Sequence, residues 1–451
     1  MRRIKPRRSL SGIVVVAVMA PAFRCPGRCL YCFRGPEAAQ SYTGLEPAAR
    51  RAIAHGYDPY LITKNRIEQL ERNGHPTDKI EVIVMGGTFN FLPRSFQKNF
   101  VKRIFDACNL VESRTLEEAH KINEEAKHRI VGLTFETRPD WASLKELNWF
   151  LGLGATRIEL GVQSIYDDVL EVVRRGHRVE ETIRATRDAK DLGYKVVYHL
   201  MPGLPGSSFM RDYAMFGRIF ESEKFRPDML KIYPTLLVGG SELEKLYRKG
   251  LYKPPGTEEM VELLAHAKAL IPPWVRVMRI QRDVPVPAIE EGVKKGNLRE
   301  LVWKRMRELG KKCRCIRCRE VLKERELELS MVERRYRASG AWEIFLSWED
   351  LKMDRIVGFL RLRLLERYLR PELEGAAMVR ELRVYGPQAR IGERGLWQHR
   401  GLGGELMGRA EEIAREEGYR RVAVISGVGV RGYFRRLGYR LEGPYMVKDL
   451  D

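Results

Sequence analysis

From residue 12 to about 290 the chain alternates short, nearly unbroken apolar runs with longer amphipathic stretches. The runs are GIVVVAVMA (12–20), IEVIVMGGTF (80–89), IVGLTFETRP (130–139), TRIELGVQS (156–164), KVVYHLMPG (195–203) and MLKIYPTLL (229–237). Strands buried on both faces read this way, and the intervals between them, such as Asp167 to Leu192, carry helical spacing. Six strand–helix units predict an α/β fold whose parallel sheet curls into a partial or full barrel over residues 1–290. Reactive groups in such folds collect where the strands end. Gly86-Gly87, Glu136-Thr137, Gln163-Ser164 and Pro202-Gly203 fall there, as does a cysteine loop after the first run.

The pattern changes at about residue 290. Residues 291–325 form a basic linker carrying three more cysteines, and residues 326–451 predict a further unit. Its expected elements are a helix over Met331–Ala338 and strands over Trp342–Ser347, Ile356–Leu364 and Met378–Tyr385. A helix over Gly401–Glu417 and a strand over Arg421–Ile425 follow.

Composition excludes disorder and membrane spanning. Apolar residues make up 44% and charged residues 31% of the 451. No stretch approaches the roughly 18 apolar residues that a spanning helix needs. Arg2–Arg8 followed by Gly12–Ala20 superficially resembles a secretory signal. The run is short and valine-rich, and Phe23-Arg24-Cys25 is a poor cleavage or lipidation site, so it reads as a buried strand. A cytoplasmic protein is expected. The net charge of +21 points to a polyanionic partner. A charge-rich surface of the thermophile kind would spread its excess. Here residues 1–36 hold eight Lys or Arg and no acid, and residues 294–325 hold thirteen bases against four acids. Two such blocks suit nucleic-acid phosphates.

Cys25, Cys29 and Cys32 follow the first strand as C-x3-C-x2-C. That spacing can bind three irons of a cubane cluster and leave the fourth open to a small molecule. Cys313, Cys315 and Cys318 form a second set, C-x-C-x2-C, which suits a structural zinc with one outside ligand. His55 and His75 are the candidates for that ligand by elimination, and a second iron–sulfur cluster is the competing reading. Cys108 sits on an apolar face and reads as a core thiol. Gln398-His-Arg-Gly401-Leu-Gly403 opens the C-terminal helix, where glycines let backbone N–H groups face a pyrophosphate.

Cys25-Pro-Gly-Arg-Cys29-Leu-Tyr-Cys32 resembles the signature of radical S-adenosylmethionine (radical SAM) enzymes, and Gly86-Gly87-Thr88 resembles their glycine-rich loop. Q-x-x-G-x-G resembles the coenzyme A loop of the GNAT acetyltransferase fold, supported by Val424 to Gly429 and Tyr433 to Tyr439. The whole order resembles one family, the catalytic subunit of the Elongator complex and its archaeal and bacterial single-chain relatives. Shared strings include Gln40 to Gly44, Tyr57 to Tyr60, Glu136-Thr-Arg-Pro-Asp140, Glu159-Leu-Gly-Val-Gln-Ser164, Met201 to Gly206, Arg279 to Asp283 and Glu442 to Tyr445.

The resemblance implies a tRNA wobble uridine (U34) C5-modifying acyltransferase that builds a carboxymethyl-type group from acetyl-CoA by radical chemistry. It implies a radical SAM partial TIM-like barrel, a metal-binding linker and a C-terminal GNAT domain. Carried over by residue, Cys25, Cys29 and Cys32 hold a [4Fe–4S] cluster. Gly86, Gly87, Gln163, Ser164 and Arg175 line the S-adenosylmethionine site, and Gln398, Arg400, Gly401 and Gly403 hold the acetyl-CoA pyrophosphate. The expected partners are the tRNA anticodon stem-loop, acetyl-CoA and a second copy of the chain in a homodimer. Lys231 and Tyr233 are read as substrate-facing groups, with barrel packing as their other role.

Three departures stand out. About eleven residues precede the first strand where the family has a longer basic segment, which predicts weaker tRNA affinity. Phe33-Arg34-Gly35 replaces the family's Pro-Gly-Gly after Cys32. Phe434 stands where many acetyltransferases carry a proton-donating tyrosine, with Tyr433 about 100° away on a helix. Tyr433 is therefore the remaining candidate for that role and for cofactor contact. The competing function is a protein lysine acetyltransferase with a structural iron–sulfur cluster, for which Glu381 could serve as general base.

Overall fold

The structure is a computed structural model that describes residues 12–450, so the basic segment Arg2–Arg8 lies outside the described residues. Six apolar runs form strands β1 (Val14–Met19), β2 (Lys79–Met85), β3 (Arg129–Thr137), β4 (Arg157–Gln163), β5 (Lys195–Leu200) and β6 (Met229–Ile232). Two short strands, β7 (Leu237–Val238) and β9 (Ile289–Glu291), pair with each other, and β8 (Arg276–Arg279) lies between them in sequence. The main sheet runs β1-β2-β3-β4-β5-β6-β8, every neighbour parallel, and stays open between β1 and β8. It is a partial barrel. Helices α1 (Pro47–Ala54) and α2 (Pro59–Arg72) cover the β1 edge.

The sixth expected strand ends early. Pro234 cannot donate to the sheet ladder, so β6 stops at Ile232 and the chain re-forms as β7. The seventh strand, β8, is four residues long with arginine at both ends, and its apolar signal is too weak to register.

The second sheet comprises β10 (Leu329–Ala338), β11 (Ala341–Asp350), β12 (Arg355–Leu364), β13 (Ala376–Val384), β14 (Arg421–Val424), β15 (Arg440–Glu442) and β16 (Tyr445–Asp449). Its order is β10-β11-β12-β13-β14-β16-β15. The helix expected over Met331–Ala338 is instead β10, paired antiparallel with β11 from Leu329↔Asp350 to Ala338↔Ala341. Ser339 and Gly340, both at positive φ, close a two-residue hairpin whose twist matches the strands. Cross-strand pairing overrides the helix-like spacing of MVERRYRA.

The two sheets are packed together. Gly427 and Gly429 lie directly on β3, where a Cβ on Gly429 would stand 2.5 Å from Arg129. Tyr445 donates to the Leu192 carbonyl at 2.9 Å. The linker ties the opposite edge: Ile316 N–H donates to Val275 O at 2.9 Å and Val321 N–H to Ile356 O at 3.0 Å.

Candidate active site

The C-terminal ends of the parallel strands surround a cavity of about 180 Å³ lined by Cys25, Cys29 and Cys32. The cysteine loop folds back on itself, with Cys32 N–H bonded to Cys29 O at 3.1 Å and Leu30 N–H reaching Val173 O at 3.1 Å. Cys29 is the deepest of the three. Arg175 Nη1 stands 3.4 Å and Arg138 Nη1 3.9 Å from its sulfur. A hydrogen bond from Cys32 and these two guanidinium groups outweigh burial and hold the Cys29 thiol well below its usual range. A buried thiolate flanked by two cations suits a metal ligand.

Three glycines shape this arrangement. Arg175 donates to the Gly161 carbonyl at 2.6 Å, and a Cβ at Gly161 would lie 2.5 Å from Arg175 Nη2. Gly87, at φ 100°, faces open cavity, whereas Gly86, at φ 114°, packs against the Ala20 backbone. The cavity also holds polar atoms without partners. Gln163 Oε1 and the Tyr31 hydroxyl are buried and unpaired, which suits a bound cofactor or substrate. Ser164 is buried and accepts from Tyr166 N–H at 3.3 Å, behind the cavity wall.

Opposite the cysteines, Glu136, Glu159 and His199 bring their ligand atoms within 4.8 Å of one another. His199 Nε2 lies 2.7 Å from Glu159. Lys231 bonds Glu159 directly and stands 3.4 Å from Glu136. Burial would raise the Glu159 carboxyl, but Lys231, His199 and Arg157 hold it far below its usual range. Lys231 is itself buried behind these carboxylates, while Tyr233 faces the cavity.

The other cysteine set is tighter. Cys313, Cys315 and Cys318 hold their sulfurs within 4.8 Å of one another, near the roughly 3.8 Å edge of a zinc–thiolate tetrahedron. Among the described residues the first three cysteines form no such group. The histidine expectation fails. His55 lies between α1 and α2 and His75 follows α2, at the β1 edge of the sheet, whereas the linker sits against β8. Lys268 Nζ stands 3.3 Å from the Cys313 sulfur instead. Cys108 is fully buried in the core, as expected.

In the second sheet, β13 and β14 pair in parallel only from Ala376 to Val379, and β13 then runs on to Val384 paired with β12 alone. The Gln398–Gly403 loop lies beyond that point. Gln398 Oε1 accepts from Ala389 N–H at 3.1 Å, and Arg400, exposed, donates to the Gly395 carbonyl at 3.0 Å. Gly401 at φ 91° starts the helix Leu402–Glu416, and a Cβ at Gly403 would stand 3.0 Å from the Tyr433 hydroxyl. Tyr433 faces this loop, and Phe434 points into the core. Glu381 accepts from Arg361 at 3.0 Å and is buried, so it is not a free base.

A three-cysteine loop after the first strand of an open parallel barrel defines a radical SAM enzyme. The Radical SAM superfamily matches residues 19–211 and the Radical_SAM C-terminal domain residues 227–308. The tRNA uridine(34) acetyltransferase of Methanocaldococcus infernus is 51% identical over 99% of this chain and 88% of its own. Human Elongator complex protein 3 is 47% identical over 99% of this chain and 86% of its own. The structure of the M. infernus protein Elp3 lacking residues 1–46 superposes with a TM-score of 0.87 at 48% identity, covering 98% of this chain and 100% of that one. The chain belongs to the family of tRNA uridine(34) acetyltransferases and Elongator complex protein 3.

Arg138, Gly161 and His199 received no role from the sequence alone. Arg138 and Gly161 lie within the shared strings Glu136–Asp140 and Glu159–Ser164, which was the available signal. The Gly161→Ala protein is expected to fold but to lose Arg175 from Cys29, lowering iron retention and turnover about 10- to 100-fold. Iron content and EPR intensity after anaerobic reconstitution measure this, and full iron with full turnover would refute it.

Proposed function

We propose that the chain modifies uridine 34 of tRNA at C5, building a carboxymethyl-type group with acetyl-CoA as carbon donor. The observation that carries this reading is the three-cysteine cavity with its polar floor, in a chain half identical end to end to proteins named tRNA uridine(34) acetyltransferase. Cys25, Cys29 and Cys32 would hold a [4Fe–4S] cluster, and Gly87, Gln163 and Arg175 would face S-adenosylmethionine. Together the two supply, when bound, one-electron chemistry able to activate an unreactive C–H bond.

The chain's own residues set the conditions for that chemistry. Arg138 and Arg175 offset the charge of the thiolates, and Gly86 keeps the β2 loop tight against Ala20. Lys231 keeps Glu159 ionised, so the floor presents fixed acceptors and His199 to a base that offers two carbonyls and an N–H. An unpaired anticodon-loop base can be splayed into such a pocket, as a stacked one cannot. In the C-terminal GNAT-type unit, Gln398, Arg400, Gly401 and Gly403 would receive the acetyl-CoA pyrophosphate where β13 leaves β14. Tyr433, whose hydroxyl lies beside Gly403, would be the donor to a departing thiolate. Cys313, Cys315 and Cys318 would hold one structural zinc.

Anaerobic protein supplied with iron, sulfide, reductant, S-adenosylmethionine, acetyl-CoA and tRNA is expected to yield a new uridine mass by nucleoside mass spectrometry. Omission of any one component should abolish it. A lysine peptide acetylated while uridine stays unmodified would support the protein acetyltransferase instead.

A further inference from the structure

A second cavity, of about 460 Å³, opens between α1 and α2. Arg50, Arg51, Arg66, Arg72 and His55 line it, and no carboxylate does. Gln69 Oε1 accepts from Arg66 at 2.6 Å and fixes that guanidinium. Arg51 Nε is buried without a hydrogen-bond partner. Burial pulls the Arg51 guanidinium down to about 10, and the positive charge of Arg66 adds to the effect. Cations gathered this way are costly until an anion joins them, and the guanidinium fork matches phosphate geometry.

The place of this cavity is informative. Leu45 and Pro47 line it, whereas Glu46 and Ala48 line the cysteine cavity. A single stretch of backbone separates the two. An RNA strand that placed one base in the cysteine cavity would pass this segment, which has the arginines on its other side.

We infer that the α1–α2 cavity binds a backbone phosphate of the RNA strand that delivers its base to the cysteine cavity. The inference rests on the tRNA reading above. The shared chemistry is phosphate, which acetyl-CoA also carries, so the experiment separates the two sources. Arg50 and Arg72 are exposed, and their joint replacement, Arg50→Gln with Arg72→Gln, should leave folding intact. Arg51→Gln is a second, separate variant. Binding of tRNA is measured from low to moderate salt, beside acetyl-CoA binding and competition by inorganic phosphate.

The double variant is expected to bind tRNA about tenfold more weakly at low salt, with a log–log salt slope lower by about one to two. Inorganic phosphate should compete less well against it, and acetyl-CoA affinity should stay unchanged. Lys352→Gln with Arg415→Gln removes the same charge from the C-terminal half and should have a smaller effect. Unchanged tRNA affinity and slope, or a loss matched by that control, would overturn the arginine site while normal uridine modification left the tRNA reading standing. A loss of acetyl-CoA affinity instead would assign the cavity to that ligand. Wild-type protein that neither binds nor modifies tRNA would overturn both.

Discussion

Replacing Cys29 with alanine is expected to give a folded protein that retains no N-terminal cluster and makes no modified uridine. Among the three cysteines it lies deepest, and two guanidinium groups converge on its sulfur. Removing the thiolate takes away one iron ligand and the anion that faces Arg175, leaving Arg138 with Asp140 as its anionic partner. The loss in turnover should reach at least about 10^3-fold, roughly 4 kcal/mol of transition-state stabilisation. Two controls locate the effect. Cys108→Ala removes a thiol that burial pushes far up and that touches only core, so iron and product should persist. Cys313→Ala alters the linker site and should leave the N-terminal cluster's EPR signal in place. Wild-type iron content and product in the Cys29→Ala protein would show that the cavity is not where the chemistry occurs.

What could be read from sequence follows the strength of the local signal. Strands β1 to β5 are apolar on both faces, so their runs stand out, and the cysteine loop is fixed by spacing alone. Strand β8 is four residues of RVMR, and its place in the sheet depends on pairing with β6, which no local pattern announces. The hairpin that turned an expected helix into β10 did carry a signal in Ser339-Gly340, but the register with β11 decides it. The Glu136–Glu159–His199–Lys231 cluster is assembled from four strands and so has no sequence spacing to read. Elimination chose His55 and His75 because sequence cannot say that α1–α2 and the linker occupy opposite edges of one sheet.

The second large effect concerns how the two sheets are held together. Replacing Asp228 with alanine is expected to destabilise the protein by about 3–5 kcal/mol. Asp228 immediately precedes β6 and is fully buried. It accepts from Arg380 on β13 at 2.6 and 2.8 Å and from Val196 N–H at 2.8 Å, with Lys190 and Arg361 each at 3.6 Å. Burial alone would raise its carboxyl, but Arg380, Lys190 and Arg361 hold it far below its usual range. Glu343 shares Arg380 and Lys190, and Arg363 ties Glu343 to Asp191. Lys190, buried among these groups, is pulled down to about 8 by desolvation against the attraction of Asp228 and Glu343. Alanine at 228 therefore leaves Arg380, Lys190 and Arg361 with only Glu343 and Glu381 to offset three buried charges, whereas asparagine keeps an acceptor for Val196 and should cost less. Adding Arg380→Met to Asp228→Ala should cost less than the sum of the two single changes, because both remove the same buried ion pair. Denaturant midpoints of the wild type, Asp228→Ala, Arg380→Met and the double variant measure the coupling. A wild-type midpoint for Asp228→Ala would mean that the apolar contacts between the sheets suffice without the charges. The network matters beyond stability because β6 leads into Lys231 and Tyr233 at the cysteine cavity, while β13 leads toward the Gln398 loop. One buried ion-pair cluster thus ties the strand that leads to the cysteine cavity to the strand that leads toward the Gln398 loop.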